Sequence, residues 1–217
     1  MTADEKIARI YPTKEEMSTR VARFRNLKGF DGGLADSNMP EAKRLLFNVI
    51  GFQPPPVEGM GAGSPVGALA ARMSPIKISE GFNLGYCEAL PGKGPMMHNH
   101  DTNETFCAIT GRWRASWEVG GGEIDYVDLH PLDVISFPPG VIRRFENISD
   151  GPKDQYSLLM FVIAGDAPTA EFTKESLEEI DRAGLLDMGQ TDSSDAPVWV
   201  GPHLDPSEFT PAQTGSS

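Results

Sequence analysis

The sequence predicts an all-β protein, a small antiparallel barrel with a helical arm before it and a helix after it. Glycine (23) and proline (18) are frequent among the 217 residues, and charged residues make up an ordinary 23%. This composition favours turn-rich β structure over a helical bundle or a disordered chain. A chain of this length is typical of one domain.

The barrel is assigned to residues 68–165. Within this region, short stretches of β character alternate with turns that contain Gly, Pro or Asp at intervals of roughly ten residues. Nine strands are predicted from this pattern, at residues 76–79, 83–90, 96–100, 104–109, 112–119, 124–129, 134–137, 142–147 and 156–163.

Residues 1–67 are predicted to form a helical arm followed by a linker. A capping box at Thr13–Glu16 with apolar residues at helical spacing behind it predicts a helix at 13–27. Pro40 predicts the start of a second short helix, which would carry Leu45, Leu46 and Val49. The linker, 53–67, contains three consecutive prolines and forms no regular element.

Residues 166–217 are predicted to form a helix and an extended tail. Leu177 and Ile180 lie in charged surroundings and Gly184 follows them, so a helix is expected at 173–183. The last thirty residues are rich in Asp, Ser, Pro and Thr, a composition typical of a tail with little fixed structure.

Charge and hydropathy argue against nucleic-acid and membrane partners. The formal net charge is -12, which repels phosphate backbones and anionic lipids. The longest apolar run, residues 158–164, is too short to span a bilayer, and the amino terminus lacks a signal-like apolar segment. We therefore expect a soluble cytoplasmic protein, in which Cys87 and Cys107 are reduced and buried.

One short segment carries the spacing of a metal site. Side chains at i and i+2 of a strand project from the same face, so His98 and His100 point together. After a turn of about three residues, Glu104 can face the same cavity. Two imidazoles and one carboxylate suit Fe(II), Mn(II), Ni(II) or Zn(II) and leave coordination positions open. Taken alone, such a pattern is also typical of a surface or structural hydrogen-bonding feature.

The residues around this segment extend the pattern into a resemblance. Gly92-x5-His98-x-His100-x3-Glu104-x6-Gly111 resembles the first sequence motif of the cupin superfamily. Downstream, Leu132-Asp133-x4-Pro138-Pro139-Gly140-x2-Arg143-x3-Asn147 is similar to the second cupin motif. The resemblance covers about residues 84–163. It implies a double-stranded β-helix (jelly-roll) barrel, a metal-dependent activity on a small molecule, and a homodimer.

Two positions depart from the cupin pattern. Leu132 stands where the second motif usually has glycine, and Arg143 stands where it usually has a third metal-binding histidine. A guanidinium stays protonated and cannot donate a lone pair to a metal. Three alternatives are open for Arg143: it binds a carboxylate or phosphate of the substrate, it neutralises Glu104 in place of a metal, or it lies in solvent beside Arg144.

Further residues are assigned to the barrel interior. Met96, Phe106 and Phe145 flank the motif residues and, with Met97, are candidates for an apolar wall of a substrate pocket, although barrel packing explains them equally well. Trp113, Ala115 and Trp117 mark one buried face of a strand. Cys107 should point away from the site, and His130 and His203 are not expected to be ligands.

These observations favour a metal-dependent cupin enzyme acting on a small, anionic organic molecule, with a dioxygenase ahead of an isomerase, lyase or hydrolase. In this scheme His98, His100 and Glu104 hold Fe(II) or a similar ion, and Arg143 binds substrate or stabilises negative charge. The alternatives are a metal-free cupin that binds a small ligand, which requires an Arg143–Glu104 ion pair, and a metal-free isomerase or epimerase with His100 as general base.

Overall fold

The computed structural model describes residues 7–52, 73–186, 200–205 and 207. Ten strands in these residues form two five-stranded sheets, which we call sheet A, of order β1-β2-β9-β4-β7, and sheet B, of order β10-β3-β8-β5-β6. All strand pairs in both sheets are antiparallel. The strands are β1 (Leu45–Ile50), β2 (Phe82–Ala89), β3 (His98–His100), β4 (Glu104–Ala108), β5 (Trp113–Gly120), β6 (Glu123–Leu129), β7 (Val134–Phe137), β8 (Arg143–Asn147), β9 (Ser157–Ala164) and β10 (Ala170–Phe172).

The order of the strands along the chain defines the architecture. From β2 onward, every connection crosses from one sheet to the other, except the β5–β6 hairpin within sheet B. Two sheets that exchange successive strands in this way form a double-stranded β-helix, or jelly roll. The predicted fold class is therefore confirmed.

The main core lies between the two sheets. Burial alternates along β4 and β8, so that every second side chain points inward, as a strand with one covered face requires. Phe106, Trp113 and Phe145 meet there with ring centroids 4.9 and 5.9 Å apart. Trp113 and Ala115 are fully buried, while Trp117 is partly exposed and packs against the same cluster.

The predicted first helix is shorter than expected. Helix α1 spans only Lys14–Ser18, with the predicted capping box at Thr13, and a 3-10 turn follows at Phe24–Asn26. Met17 and Val21 are each 46% exposed. A short helix gains most of its stability from packing, which Met17 and Val21 do not supply, so the predicted start of the helix is confirmed but its predicted end at residue 27 is wrong.

The second predicted helix is a strand. Pro40–Ala42 forms a 3-10 turn, and the following apolar run is β1, paired with β2. Both faces of β1 are covered: Leu46 packs in the main core, while Leu45 and Val49 pack in a second cluster on the outer side. A short run that is apolar on both faces has neither helical nor alternating periodicity, which explains the error.

The other predicted strands lie within two residues of their predicted bounds, but 76–79 forms only an isolated bridge between Ile76 and Ile50. The predicted C-terminal helix is present as α2 (Lys174–Arg182), capped by Thr173.

No helix of the described residues is long and apolar enough to span a bilayer. Both cysteines are unpaired; Cys87 is buried, but Cys107 is partly exposed because it points away from the core. The division of the chain into arm and linker, barrel, and C-terminal helix and tail, at 67/68 and 165/166, stays a prediction.

Candidate metal centre

The predicted ligand residues converge inside the barrel. His98 and His100 lie at the two ends of β3, and Glu104 begins β4 after a three-residue turn. All three side chains are buried, and one potential ligand atom from each lies within 4.8 Å of the others. The i, i+2 spacing thus places both imidazoles on the inner face of sheet B, and the turn brings the carboxylate to them, as predicted.

Hydrogen bonding orients the ring of His98. Its Nδ1 lies 2.8 Å from the carbonyl oxygen of Met96, which can only accept, so we assign the proton to Nδ1. The Nε2 lone pair is then available for a metal, an arrangement common among metal-ligating histidines. The Nε2 of His100 lies 3.4 Å from Oε2 of Glu104, and its buried Nδ1 has no hydrogen-bond partner among the described residues.

Both imidazoles are neutral at neutral pH. Burial lowers the pKa of His98 to about 3; His100 and Arg143 act in the same direction, and Glu104 and the Met96 carbonyl oppose them. Burial followed by the charge of Arg143 lowers the pKa of His100 to about 3, and the charge of Asp101 opposes them. A neutral imidazole is the form that binds metal.

Arg143 forms a buried ion pair with Glu104. Its side chain is completely buried, and its Nε and Nη2 donate to Oε2 of Glu104 at 3.1 and 2.7 Å. Nη1 donates to the carbonyl of Val141 at 3.1 Å. Of the three alternatives that the sequence left open for Arg143, this geometry is the one in which Arg143 neutralises Glu104. The alternative in which Arg143 lies in solvent beside Arg144 is wrong. Arg144 itself is half-buried and pairs with Glu146.

The residues present can hold a divalent ion, with one constraint from charge. Arg143 uses only Oε2 of Glu104, and a carboxylate has a second oxygen able to bind a metal. Because Arg143 already balances Glu104, a divalent ion would add two uncompensated positive charges to a buried site. Such charge is costly in a low dielectric unless an anion accompanies it. The donor set therefore fits a metal that binds together with an anionic ligand.

A small cavity adjoins the three residues. Its volume is about 30 Å³, room for roughly two or three water molecules. Apart from the three candidate ligands it is lined by Arg44, Leu46, Pro95, Phe145, Phe161 and Ile163. The predicted wall residue Phe145 lies at the cavity. Phe106 packs against Phe145 in the core, and Met96 packs instead with Met39, Ala42 and Ile180.

Two residues near the cavity were missed by the sequence reasoning. Arg44 and Asp36 form a buried bidentate pair, with both nitrogen–oxygen distances 3.1 Å. Asp36 also accepts from the backbone N–H of Met96 at 3.0 Å, and thereby fixes the chain just before His98. An acidic and a basic residue eight positions apart in a predicted helical arm carry no signal for this contact.

The remaining histidines lie outside the cluster, as expected. The side chain of His130 is 66% exposed, near Asp133. His203 contacts Glu88 and stacks on Tyr156, on another part of the surface.

The glycines of the two sequence motifs lie at turns between strands. Gly92 and Gly111 both have positive φ, at turns before and after the ligand strands. The Pro-Gly turn of the second motif joins β7 to β8, and the N–H of Gly140 donates to the carbonyl of His100 at 2.9 Å. Leu132 has a φ of 76°, a conformation that glycine adopts readily. The fold is the double-stranded β-helix barrel that the resemblance to the cupins implies.

Comparisons with solved structures identify similar folds at low sequence identity. The chain is similar to peruvianin-I, a cysteine peptidase from Thevetia peruviana latex, at 13% identity over 79% of this chain and 90% of that chain, with a TM-score of 0.47. It is similar to an oxalate oxidase at 10% identity over 79% and 75%, with a TM-score of 0.46. A cupin superfamily protein from Desulfitobacterium hafniense matches at 12% identity over 42% and 73%, with a TM-score of 0.35. At these identities the likeness concerns the fold alone. No protein-family model and no curated protein matches the sequence.

Proposed function

We propose that this protein is a divalent-metal-dependent cupin enzyme that acts on a small organic anion, with an Fe(II)-type dioxygenase as the favoured activity. The proposal depends on one observation: His98, His100 and Glu104 are buried, with ligand atoms within 4.8 Å of one another, beside a cavity. A bound divalent ion would supply Lewis-acid or redox chemistry at the coordination positions that three protein ligands leave open.

Arg143 has two roles in this proposal. It holds one oxygen of Glu104 through two N–H groups, which fixes the direction of the carboxylate. Because its charge already balances Glu104, the charge of a bound divalent ion would stay uncompensated, so a carboxylate or similar anion is the substrate class that balances the site. The guanidinium thus orients a ligand residue and selects the charge of the substrate.

The remaining lining sets size and polarity. Leu46, Phe145 and Phe161 are apolar and form the nonpolar part of the cavity wall beside the ligand residues. A volume of about 30 Å³ leaves room only for a small group beside the three ligands. The favoured substrate is a short organic acid, or a molecule whose anionic end alone enters the cavity.

The experiment compares three proteins: the wild type, His98→Asn, and His130→Asn as a control that changes an exposed histidine. Each is loaded with Fe(II) without oxygen, desalted, and its metal content is measured by elemental analysis with and without a short dicarboxylate such as malonate. We expect about one ion per chain in the wild type and in His130→Asn, retained better with malonate, and loss from His98→Asn. A folded wild type without stoichiometric metal under both conditions would overturn the proposal.

The oxygenase part has its own measurement. Oxygen uptake by the Fe(II)-loaded wild type is followed with a panel of short carboxylic acids, with His98→Asn as the blank. Uptake that depends on both the acid and His98 supports a dioxygenase. Conversion of an acid without oxygen uptake would overturn that part and favour an isomerase, lyase or hydrolase.

A second function is favoured by the buried ion pair itself. Arg143 neutralises Glu104 in the absence of any metal, and its Nε and Nη2 are both engaged with that carboxylate. A metal-free cupin that binds a small ligand in the same cavity has this arrangement. Ligand-induced thermal stabilisation that is unchanged by a chelator, in protein that retains no metal, would favour this function over the enzyme.

A further inference from the structure

The chain that leads into the ligand strand β3 is held by groups outside the barrel strands. Strand β3 is short, and its ladder with β8 consists of His98 opposite Arg143. A ladder of this length leaves the direction of the His98 side chain dependent on the residues before it. The N–H of Gly94 donates to the carbonyl of Glu41 at 3.0 Å. Residues 94–97 are therefore tied to the segment that precedes β1.

Helix α2 holds the other end of this stretch. The carbonyl of Met97 accepts from the backbone N–H of Thr173 and from the hydroxyl of Ser176, both at 3.1 Å. Between the two anchors, the side chain of Met96 is buried against Met39, Ala42 and Ile180. The backbone just before His98 is thus fixed from both sides by elements that lie outside the ligand cluster.

The backbone of Met96 connects a buried carboxylate to His98. Pro95 has no N–H to donate. The N–H of Met96 donates to Oδ2 of Asp36 at 3.0 Å, and the carbonyl of Met96 lies 2.8 Å from Nδ1 of His98. Asp36 therefore holds one side of the Met96 Cα, and His98 engages the other side.

We propose that Asp36 is a positioning residue for the metal centre. By fixing Met96, it keeps the proton of His98 on Nδ1 and directs Nε2 at the ligand cluster. Groups that orient a metal-bound histidine in this way set both its tautomer and its affinity for metal. The part that concerns metal affinity rests on the proposed function, whereas the tautomer of His98 does not.

Arg44 keeps the carboxylate of Asp36 in place. The two side chains form a bidentate pair at 3.1 Å, and Nη1 of Arg44 also donates to the carbonyl of Ala42 at 2.7 Å. Asp36 is completely buried, where an ionised carboxylate is costly without a cation beside it. Because the two charges balance each other, Asp36 acts on His98 through the geometry of Met96 and not through a net charge.

A purely structural role for the pair makes a different prediction. If Asp36 and Arg44 only attach the arm to the barrel, their loss lowers stability and leaves His98 unchanged in the folded protein. If Asp36 is a positioning residue, loss of the acceptor at position 36 changes His98 while the fold persists. The apolar contacts of Met96 keep the segment attached in such a variant.

Two double variants isolate the acceptor at position 36. Asp36→Asn/Arg44→Met and Asp36→Ala/Arg44→Met both remove the ion pair, so neither leaves an unpaired buried charge. They differ because the amide oxygen of asparagine can still accept from the N–H of Met96. Arg114→Met/Asp128→Ala is the control, since it removes a partly exposed ion pair of sheet B. Thermal unfolding by circular dichroism establishes that each variant is folded at the temperature of the measurements.

The first measurement is ¹⁵N NMR of the histidine rings in the full-length chain at neutral pH, with a chelator present. Loss of signals in His98→Asn assigns those of His98. We expect His98 to be protonated on Nδ1 alone in the wild type, in Asp36→Asn/Arg44→Met and in the control. The folded Asp36→Ala/Arg44→Met should show both tautomers. A tautomer unchanged from the wild type in that variant would overturn the proposal.

The second measurement is the affinity for Mn(II) in the presence of malonate. Asp36→Ala/Arg44→Met should bind at least about tenfold more weakly than Asp36→Asn/Arg44→Met. The control should stay within about twofold of the wild type. Equal affinities of the two position-36 variants would overturn the effect on metal binding. A wild type that binds no metal would instead overturn the proposed function, and the tautomer measurement would still decide the positioning role of Asp36.

Discussion

Replacing Arg143 by methionine separates the two ways in which Glu104 can be neutralised. In the metal-free protein the substitution leaves a carboxylate that is about 4% exposed without its ion-pair partner. Removing one partner of a buried ion pair costs about 3–5 kcal/mol. For a domain of this size each kcal/mol lowers Tm by about 2–4 °C, so we expect a loss of roughly 6–20 °C. A divalent ion bound to Glu104 would replace the missing positive charge and restore much of this loss.

The assay is thermal unfolding followed by circular dichroism, first with a chelator and then with Mn(II) or Zn(II). Metal should raise the Tm of Arg143→Met more than that of the wild type, because the guanidinium no longer repels the ion. Arg114→Met is the matched control: Arg114 forms two hydrogen bonds to Asp128 at 2.7 and 3.0 Å, but both residues are partly exposed. Its loss should be about 1 kcal/mol or less. A Tm for Arg143→Met within the range of Arg114→Met would refute the reasoning on the ion pair, and the absence of any metal-dependent recovery would refute Glu104 as a ligand.

Three further predictions follow from other parts of the structure. The pKa values of His98 and His100 are lowered from 6.5 to about 3 on folding. The free energy of unfolding of the metal-free protein should therefore fall by about 2 kcal/mol per ring between pH 6.5 and pH 5, because the unfolded state takes up protons first. In urea unfolding, the pH dependence should be shallower for His98→Asn than for the wild type, and an equal slope would contradict the burial of a neutral ring. Leu132→Gly should stabilise the protein by about 0.5–1 kcal/mol, since Leu132 is 76% exposed and has a φ of 76°; a lower Tm would contradict a strained turn. Gly94→Ala should destabilise it by about 1–3 kcal/mol, because a Cβ there would collide with the carbonyl of Phe145; Gly201→Ala, at a glycine that likewise lacks a positive φ but has open space around it, is the comparison for the clash alone.

The barrel and the ligand cluster were predictable because each depends on local periodicity. The alternation of burial along β4 and β8 follows from the two-residue repeat of a strand, and it places Glu104 and Arg143 on inner faces. The i, i+2 spacing of His98 and His100 fixes their common direction in the same way. Turn residues with positive φ, such as Gly92, mark where these strands begin and end.

The features that were missed depend on contacts between distant parts of the chain. The run Leu45–Ile50 is a strand because the main core and an outer cluster cover its two faces, and neither neighbour is visible in the run itself. The sequence left open whether the side chain of Arg143 lies inside the barrel, and its pairing with Glu104 rather than with a ligand depends on side-chain torsions. Likewise, Glu88 and His203 meet across 115 positions of sequence.

The most direct measurement of the central claim is a crystal structure of the wild type soaked with Mn(II) and malonate, with anomalous scattering used to locate the metal. We predict a single strong anomalous peak between Nε2 of His98, His100 and the carboxylate of Glu104, with the guanidinium of Arg143 still bonded to that carboxylate. A well-ordered cavity without a peak, or a peak bound elsewhere with these three side chains unchanged, would contradict it.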